Sequence, residues 1–313
     1  SLTNLSEDKG IIALMYHRFE ENKYPSTNIR LKEFKQHIKL IKDEGFEFIN
    51  VNDFESKLKN EIYKKKILLT IDDGFLSFYL NAWPILKKQK IPFMIFISTK
   101  EIGTNNYMSW DQIRELSKSN LVYIGNHSHT HEYLVDMSNE EIKNDLKTSM
   151  VILKKETNKS PIFFSYPFGE YSLNFKTIVK DLGFKYAFGQ HSGVIDQTKD
   201  FFELPRFPIN EKYGEIKRFK TLLKTLPLQY NKILPDEKYL LAKNNPPKVV
   251  VEFFEDQKNL NLINCYSNEQ NKWRKSKTNF IKKNIMEIEL EGAFVTERGR
   301  INCSLRNNDR KWR

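Results

Sequence analysis

The sequence of 313 residues has little cysteine, no low-complexity tract and no long hydrophobic run. Its longest apolar stretches, residues 11–16 and 91–97, are far shorter than the roughly 20 residues of a membrane-spanning helix. A composition of 39% hydrophobic and 29% charged residues excludes disordered and collagen-like chains. The chain starts at Ser1 with no signal-like segment, so we expect a globular protein that is either cytoplasmic or separated from its targeting peptide.

Lysine and arginine outnumber aspartate and glutamate by 51 to 40, which makes the formal net charge +11. Such an excess favours polyanionic partners in general. The basic residues are spread along the chain, however, and dispersed lysines usually solvate a surface. We therefore expect no nucleic-acid partner.

The two cysteines, Cys265 and Cys303, both lie near the C-terminus. A disulfide between them would staple a small β module in an oxidising compartment, and two buried free thiols are an equal alternative. A cysteine metal site is excluded because no CxxC spacing is present.

Short runs of β-branched and aromatic residues recur along the chain and predict buried strands. They are residues 11–16, 46–51, 67–71, 93–97, 121–124, 162–166 and 185–188. Segments with apolar residues three or four positions apart, such as Phe34, Ile38 and Ile41, lie between the strands and predict helices. This repetition is typical of an α/β fold with a parallel sheet, and we predict a distorted (β/α) barrel of about seven parallel strands.

The sequence Asn-Asn-Pro-Pro at residues 244–247 predicts a linker. After it, four segments alternate or run as strands without helices between them: residues 249–254, 260–266, 285–290 and 301–305. We predict a barrel domain of residues 1–243 and a small all-β module of residues 244–313.

Ionisable residues directly follow three of the predicted strands. His17 follows the first strand, Asp72 and Asp73 the third, and residues 127–131 the fifth. Since barrel enzymes build their sites at the carboxyl ends of the strands, we expect these residues to converge.

The two adjacent aspartates would repel one another in a dry pocket unless a cation neutralised them, although the pair is equally consistent with a turn. Half of the six histidines lie within residues 127–131. His127 could hold one ion together with either His129 or His131, and the alternative is a histidine-rich surface loop. Two histidines and one carboxylate form a recognised metal triad with open positions.

Three ordered segments carry a family resemblance: residues 70–75 (TIDDGF), 125–131 (GNHSHTH) and 165–169 (SYPFG). With them, residues 10–210 resemble the polysaccharide deacetylases, carbohydrate esterase family 4. His17 after Met15-Tyr16, together with Trp110-Asp111, is similar to the branch that contains the biofilm poly-N-acetylglucosamine deacetylases. The region beyond Pro247 resembles no family.

The resemblance implies a metal-dependent hydrolase that removes N-acetyl groups from N-acetylhexosamine residues of a polysaccharide and releases acetate. Asp73, His127 and His131 would hold a divalent ion, which we expect to be Zn²⁺, with Co²⁺, Ni²⁺ or Mn²⁺ as alternatives. Asp72 would be the general base for the attacking water. The ion and the backbone N–H of Phe168 would stabilise the oxyanion.

The departing amine needs a general acid, and the resemblance offers two histidines. The common family arrangement has it after the last strand, where His191 lies, and the biofilm branch has it after the first, where His17 lies. We favour His17, because the residue two positions before His191 is Gly189, where the family usually has a leucine.

Ser165 stands where the family has an arginine that orients the base. We expect Arg206 to supply this guanidinium and to hold Asp72 ionised. Stacking on sugar rings is expected of aromatic side chains near the site. The predicted substrate-binding residues are Trp110, Tyr166, Phe168 and His191.

Other functions could use the same residues. An O-acetyl esterase acting on envelope glycan would depend less on His17, a glycan-binding protein would not turn over, and a non-haem iron oxygenase would need iron and oxygen. The intact set of ionisable residues favours an enzyme. Its polysaccharide partner predicts a secreted, periplasmic or cell-surface location, with the targeting segment absent from this chain, and the oligomeric state stays open.

Overall fold

The computed structural model describes residues 10–59 and 65–306. The chain forms two compact units, Ser1–Leu223 and Lys224–Arg313. The division lies earlier than the predicted break after residue 243. The strand Lys232–Leu234 pairs with Val249–Glu252, and this pairing draws the segment before the Pro-Pro sequence into the second unit.

The first unit alternates strands and helices. Its strands are β1 (Ile11–Tyr16), β2 (Arg18–Phe19), β3 (Asn28–Ile29), β4 (Glu47–Phe48), β5 (Lys66–Asp73), β6 (Phe93–Ile97), β7 (Val122–Asn126), β8 (Phe163–Ser165), β9 (Tyr186–Phe188) and β10 (Phe207–Pro208). Its helices are α1 (Leu31–Asp43), α2 (Phe54–Lys59), α3 (Trp83–Lys88), α4 (Trp110–Ser117), α5 (Asn139–Thr157), α6 (Leu173–Asp181) and α7 (Ile216–Leu223). Within the described ranges, no helix has both the length and the apolar character needed to cross a bilayer.

One parallel sheet of eight strands organises this unit, in the order β10-β1-β5-β6-β7-β8-β9 with β4 beside β5. An irregular segment bridges the gap between the two ends of the sheet. Leu204 pairs with Phe188 of β9, and β10, which follows shortly after, pairs with β1. This arrangement confirms the predicted distorted (β/α) barrel.

The strands are buried because helices cover the sheet. All six residues of β1 are buried, and α1 packs Phe34, Ile38 and Ile41 into the core as its spacing predicts. Two strands extend further than predicted. Asp72 and Asp73 are the last residues of β5 rather than the first after it, and β7 continues to Asn126.

The second unit is all β, as predicted. Its strands are β11 (Lys232–Leu234), β12 (Val249–Glu252), β13 (Asn264–Ser267), β14 (Arg274–Lys275), β15 (Lys277–Lys282), β16 (Ile285–Glu289) and β17 (Ile301–Ser304). They form two antiparallel sheets, β11-β12-β16-β15 and β14-β13-β17. Cys265 of β13 lies directly opposite Cys303 of β17, and the two are joined by a disulfide. The structure therefore has the disulfide and not the two buried free thiols that were its alternative.

Candidate active site

The ends of β5 and β7 bring together three of the predicted metal ligands. Nε2 of His127 lies 3.2 Å, and Nε2 of His131 3.1 Å, from Oδ1 of Asp73. One ligand atom from each residue falls within 4.8 Å of the others. His129 takes no part in this group, since its Nδ1 lies 2.8 Å from the hydroxyl of Thr99.

The hydrogen bonding of His127 indicates that the group is built for a cation. Its Nδ1 lies 2.7 Å from the backbone carbonyl of Ser165, which can only accept, so Nδ1 carries the proton and Nε2 is left with a lone pair. That lone pair faces Oδ1 of Asp73. Both atoms are buried, and neither has a hydrogen-bond partner in the part of the chain that the structure describes. Two buried acceptors that face each other are stable only with a positive charge between them, so these residues fit a metal ion.

Electrostatics keep the carboxylate of this group ionised. Burial would raise the pKa of Asp73, but its contacts with His127 and His131 outweigh burial and hold the pKa well below its usual value. Burial also opposes protonation of His131, yet the contact with Asp73 raises the pKa of this imidazole above its usual value. A negative charge therefore lies at the centre of the candidate metal site.

A carboxylate on α5 holds the loop that carries the two histidines. Asp145 accepts hydrogen bonds from the backbone N–H of His129 (2.8 Å) and of Thr130 (3.3 Å), and from the Thr130 hydroxyl (2.6 Å). Asp145 is not among the residues predicted from the sequence. The available signal was a carboxylate on the helix face next to the buried Ile142.

The same loop has an unusual backbone. Ser128 and His131 both have positive φ, 72° and 55°, a region that non-glycine residues rarely adopt. The side chain of Asn126 accepts a hydrogen bond from the Ser128 N–H at 2.8 Å, and the Ser128 hydroxyl accepts one from the His131 N–H at 3.0 Å. These local bonds stabilise a conformation that directs His131 towards Asp73.

Asp72 lies beside the metal group in a fully buried network. Arg206 donates to both of its oxygens, from Nη1 at 2.7 Å and from Nη2 at 2.9 Å. The same guanidinium donates to the hydroxyls of Ser165 (2.9 Å) and Thr70 (3.2 Å) and to the carbonyl of Gly189 (2.9 Å). Burial alone would raise the pKa of Asp72, but the charge of Arg206 brings it below its usual value.

The closure of the barrel explains how Arg206 reaches this place. The residue belongs to the segment between Leu204 and β10 that bridges the ends of the sheet. Its guanidinium lies 5.5 Å and 5.6 Å from the ring centres of Phe96 and Phe188. The structure thus brings Arg206 to Asp72, as the sequence analysis expected, and also gives Ser165 a position between them.

The two candidate acid histidines have different surroundings. Nε2 of His17 lies 3.9 Å from Oδ2 of Asp72, its side chain is 12% exposed, and burial lowers its pKa. His191 is exposed, and its ring centre lies 6.2 Å from that of Tyr171. The backbone of His191 contacts the buried network, since its carbonyl accepts a hydrogen bond from the N–H of Arg206 at 2.9 Å.

The prediction that Tyr166 stacks on substrate is wrong. This side chain is 0% exposed and belongs to the core under α5 and α6. Its hydroxyl donates to the carbonyl of Phe202 at 2.9 Å. Since the core covers the ring, no face is left for a sugar.

The other two aromatic candidates are partly accessible. Phe168 is half-buried, with its ring centre 4.9 Å from that of His131, and its backbone is left-handed with φ 61°. Trp110 begins α4, is half-buried and packs against the core of the first unit. The proximity of Phe168 to His131 places it beside the candidate metal site, whereas its role in stacking on substrate and that of Trp110 stay predictions.

An aromatic rim near Asp73 was missed in the sequence. The rings of Phe75 and Tyr107 stack with centres 4.9 Å apart, and the guanidinium of Arg18 lies 3.8 Å over Phe75 and 3.9 Å over Tyr24. Burial, with a smaller effect from the charge of Asp73, raises the pKa of Tyr107 to about 12. Its hydroxyl is therefore a neutral hydrogen-bonding group near the carboxylate at any physiological pH.

Comparisons with known proteins agree with this geometry. Residues 59–187 match the family model described as polysaccharide deacetylase. Poly-beta-1,6-N-acetyl-D-glucosamine N-deacetylase of Staphylococcus aureus is 26% identical, over 68% of this chain and 84% of that protein. The solved structure of IcaB from Ammonifex degensii has a TM-score of 0.62 and 26% identity, covering 68% of this chain and 97% of that one. Deacetylase PplD of Streptococcus pyogenes shares the fold, with a TM-score of 0.62 and 24% identity over 68% of this chain and 98% of that one.

Proposed function

We propose that this chain is a metal-dependent N-deacetylase of a poly-N-acetylglucosamine chain, from which it releases acetate, because residues 59–187 match the polysaccharide deacetylase family model and a relative named for this activity is 26% identical over 68% of the chain. One observation carries the proposal. The buried, ionised pair of Asp72 and Arg206 lies beside a group of one carboxylate and two imidazoles suited to a cation. A general base next to a metal is the arrangement that hydrolysis of an acetamide needs.

Asp73, His127 and His131 are the residues that would hold the ion. We propose Zn²⁺, because two imidazoles and one carboxylate with open positions are a usual set for catalytic zinc. When bound, the ion would polarise the acetamide carbonyl and make a neighbouring water more acidic.

Asp72 is proposed as the general base. Its Oδ2 lies 4.0 Å from Nε2 of His127 and 3.9 Å from Nε2 of His17, so it faces the space between the metal group and the candidate acid. Arg206 acts as a positioning residue, since it keeps the carboxylate ionised and fixes its orientation. The attacking water would give its proton to Asp72.

His17 is proposed to protonate the departing amine. Burial lowers its pKa, which makes its protonated form a stronger acid than an exposed imidazolium. The backbone N–H of Phe168 is the proposed protein donor to the oxyanion.

We expect His17→Ala to abolish amide cleavage and to affect ester cleavage less, because an amine needs protonation more than an alkoxide does. Acetate release from an N-acetylglucosamine trimer and from an aryl acetate measures the two activities. His191→Ala is the matched control. A larger loss of amide cleavage in His191→Ala than in His17→Ala would assign the acid to His191.

We further propose that the enzyme works outside the cytoplasm. Support comes from the disulfide between Cys265 and Cys303, which is typical of oxidising compartments, and from a polymeric substrate of the cell envelope.

The test is acetate release from β-1,4 and β-1,6 linked N-acetylglucosamine oligomers by the zinc-loaded chain. We expect release by the wild type with preference for the β-1,6 linkage, as the relative in S. aureus suggests. Asp72→Asn should be about 10²- to 10⁴-fold slower, the usual contribution of a general base. No release from either oligomer by zinc-loaded protein would overturn the proposal, and release from O-acetyl glycan instead would identify an esterase.

A further inference from the structure

The three-stranded sheet of the second unit has one face on the core and one face towards solvent. In its register, Tyr266 of β13 lies opposite Lys275 of β14 and Asn302 of β17. The alternate residues Cys265 and Ser267 are buried. Since side chains alternate across a strand, Tyr266, Lys275 and Asn302 share the outer face.

Two aromatic rings stand on this outer face. Tyr266 is 46% exposed, and Trp273, which continues the alternation two residues before Lys275, is 55% exposed. The register makes them diagonal neighbours on adjacent strands, and such neighbours are roughly 7 Å apart. Adjacent exposed aromatic side chains make an apolar patch, and apolar patches rimmed by polar residues often mark a binding surface.

Amide and hydroxyl groups surround the two rings. Asn264 lies opposite Ser304 in the same register and on the same face as Asn302. A pyranose has an apolar face of C–H groups that can stack on an aromatic ring, and hydroxyls at its edge that pair with amides. Rings flanked by short polar side chains therefore fit a sugar chain better than they fit an apolar protein partner.

The charge of the face indicates which sugar chain it fits. The outward residues of these three strands include Lys275 and no carboxylate, while Arg300, just before β17, is also exposed. Removal of N-acetyl groups turns a neutral polymer into a polycation, which these cationic side chains would repel. The face is thus suited to the acetylated polymer and unsuited to the deacetylated product.

We propose that the outer face of β14-β13-β17, with Tyr266 and Trp273 as stacking platforms, is a second binding site for the N-acetylhexosamine polymer. This proposal rests on the proposed function for the identity of the polymer. The site would retain the enzyme on acetylated stretches of its substrate and release it from stretches already deacetylated.

The experiment compares the full chain with its Tyr266→Ala/Trp273→Ala variant. Tyr239→Ala/Ile281→Ala is the matched control, because these side chains are 36% and 54% exposed in the same unit but lie outside the three-stranded sheet. Binding is measured as retardation in native gels that contain neutral glycol chitin, its deacetylated form, or polyglutamate. We expect glycol chitin to retard the wild type and the control, and the double variant to bind at least tenfold more weakly.

Kinetics provide a second readout. The double variant should have a raised KM for polymer and unchanged acetate release from a trimer. Equal retardation of wild type and double variant by glycol chitin would overturn the proposal, as would stronger retardation of the wild type by polyglutamate or by the deacetylated polymer. Gel binding needs no turnover, so its failure can be distinguished from failure of acetate release, which concerns the proposed function.

Discussion

Arg206 is the residue on which the state of Asp72 depends most directly. Both side chains are 0% exposed, and two parallel hydrogen bonds join them. A bidentate guanidinium both lowers the pKa of a carboxylate and orients it, which a single point charge does less well. The arginine has no contact with the three candidate metal ligands among the hydrogen bonds and ion pairs of the described residues.

We expect Arg206→Ala to lower the free energy of unfolding by about 3 to 5 kcal/mol, because it leaves a buried carboxylate without its partner. Arg206→Lys keeps the charge and should lower the free energy of unfolding by less. Because a lysine cannot form the two parallel hydrogen bonds, the pKa of Asp72 should rise, and the acid limb of the pH profile of kcat/KM should move to higher pH. Urea unfolding, zinc content and the pH profile check this, with zinc content expected to stay unchanged.

Lys176→Ala is the matched control for Arg206, since it removes a partly buried ion pair with Asp200 and Glu203. It should leave the pH profile of kcat/KM as in the wild type. An unshifted acid limb in Arg206→Lys would contradict the positioning role of Arg206.

At the scale of elements, the candidate metal group depends on α5, although none of its three candidate ligands lies on that helix. Asp145 of α5 accepts three hydrogen bonds from His129 and Thr130 in the loop after β7. The helix therefore sets where the two candidate histidine ligands stand. Partners of this kind commonly matter for metal affinity almost as much as the ligands do.

We predict that Asp145→Ala weakens zinc binding about 10- to 100-fold, because the loop loses the anchor that orients His127 and His131. Competition with a chromophoric chelator measures this affinity. The exposed neighbour Asn144→Ala on the same helix is the control and should bind zinc like the wild type. Wild-type affinity in Asp145→Ala would show that the loop holds its conformation without the helix.

A second element-scale feature is the buried histidine between α1 and α7. Nε2–H of His37 donates to the carbonyl of Gly214 at 2.6 Å, so its Nδ1 accepts from the hydroxyl of Tyr16 at 2.9 Å, and its ring stacks on Phe219 at 3.9 Å. Burial lowers the pKa of His37 from 6.5 to about 4, although the bond to Gly214 opposes this. The packing of α1 against α7 therefore requires a neutral imidazole.

The stability of the first unit should depend on pH through His37. Its folded pKa of about 4 lies below the unfolded value of 6.5, so the unfolded state binds more protons between these values. The contribution of neutral His37 to the free energy of unfolding is complete above pH 6.5, and about 3 kcal/mol of this free energy is lost as the pH falls to 4. Urea unfolding of wild type and His37→Gln across this range checks the prediction. The same dependence of the free energy of unfolding on pH in the wild type and in His37→Gln would refute the prediction.

At the scale of the whole molecule, the two units are stabilised by different means. The first unit has a large core of buried strands and helices, whereas the core of the second is small and contains Cys265. Small domains often need a covalent link to be stable. The disulfide connects the central strand of the three-stranded sheet to one of its edges.

We expect loss of the disulfide to destabilise the second unit by about 2 to 4 kcal/mol, because the link restricts the conformations that the unfolded chain can adopt. Cys265→Ser/Cys303→Ser, or reductant added to the wild type, should lower the melting temperature of this unit in calorimetry. Acetate release from a trimer should stay unchanged, since the candidate site lies in the first unit. A fall in trimer turnover that parallels the loss of the disulfide would contradict this assignment.

The sequence by itself determined the parallel strands, the barrel and the candidate metal group. Buried strands are continuous apolar runs, which is a local signal, and the ends of parallel strands share one face, so Asp73 and the histidine segment 127–131 could be placed together without coordinates. The family resemblance then selected His131 rather than His129 as the partner of His127. The aspartate pair and the histidine segment carry their chemistry within a few residues of chain.

Only the tertiary structure decided which side chains are buried at the ends of the parallel strands. The contact of Arg206 with Asp72 was expected from the sequence, but the two residues are 134 positions apart, and the complete burial of both side chains depends on how the last segment closes the barrel. Tyr166 belongs to the same motif as Phe168, yet it turns into the core because helices cover that side of the strand. Periodicity along a chain predicts an element, whereas the direction and burial of a side chain at its end depend on long-range packing, which local sequence does not encode.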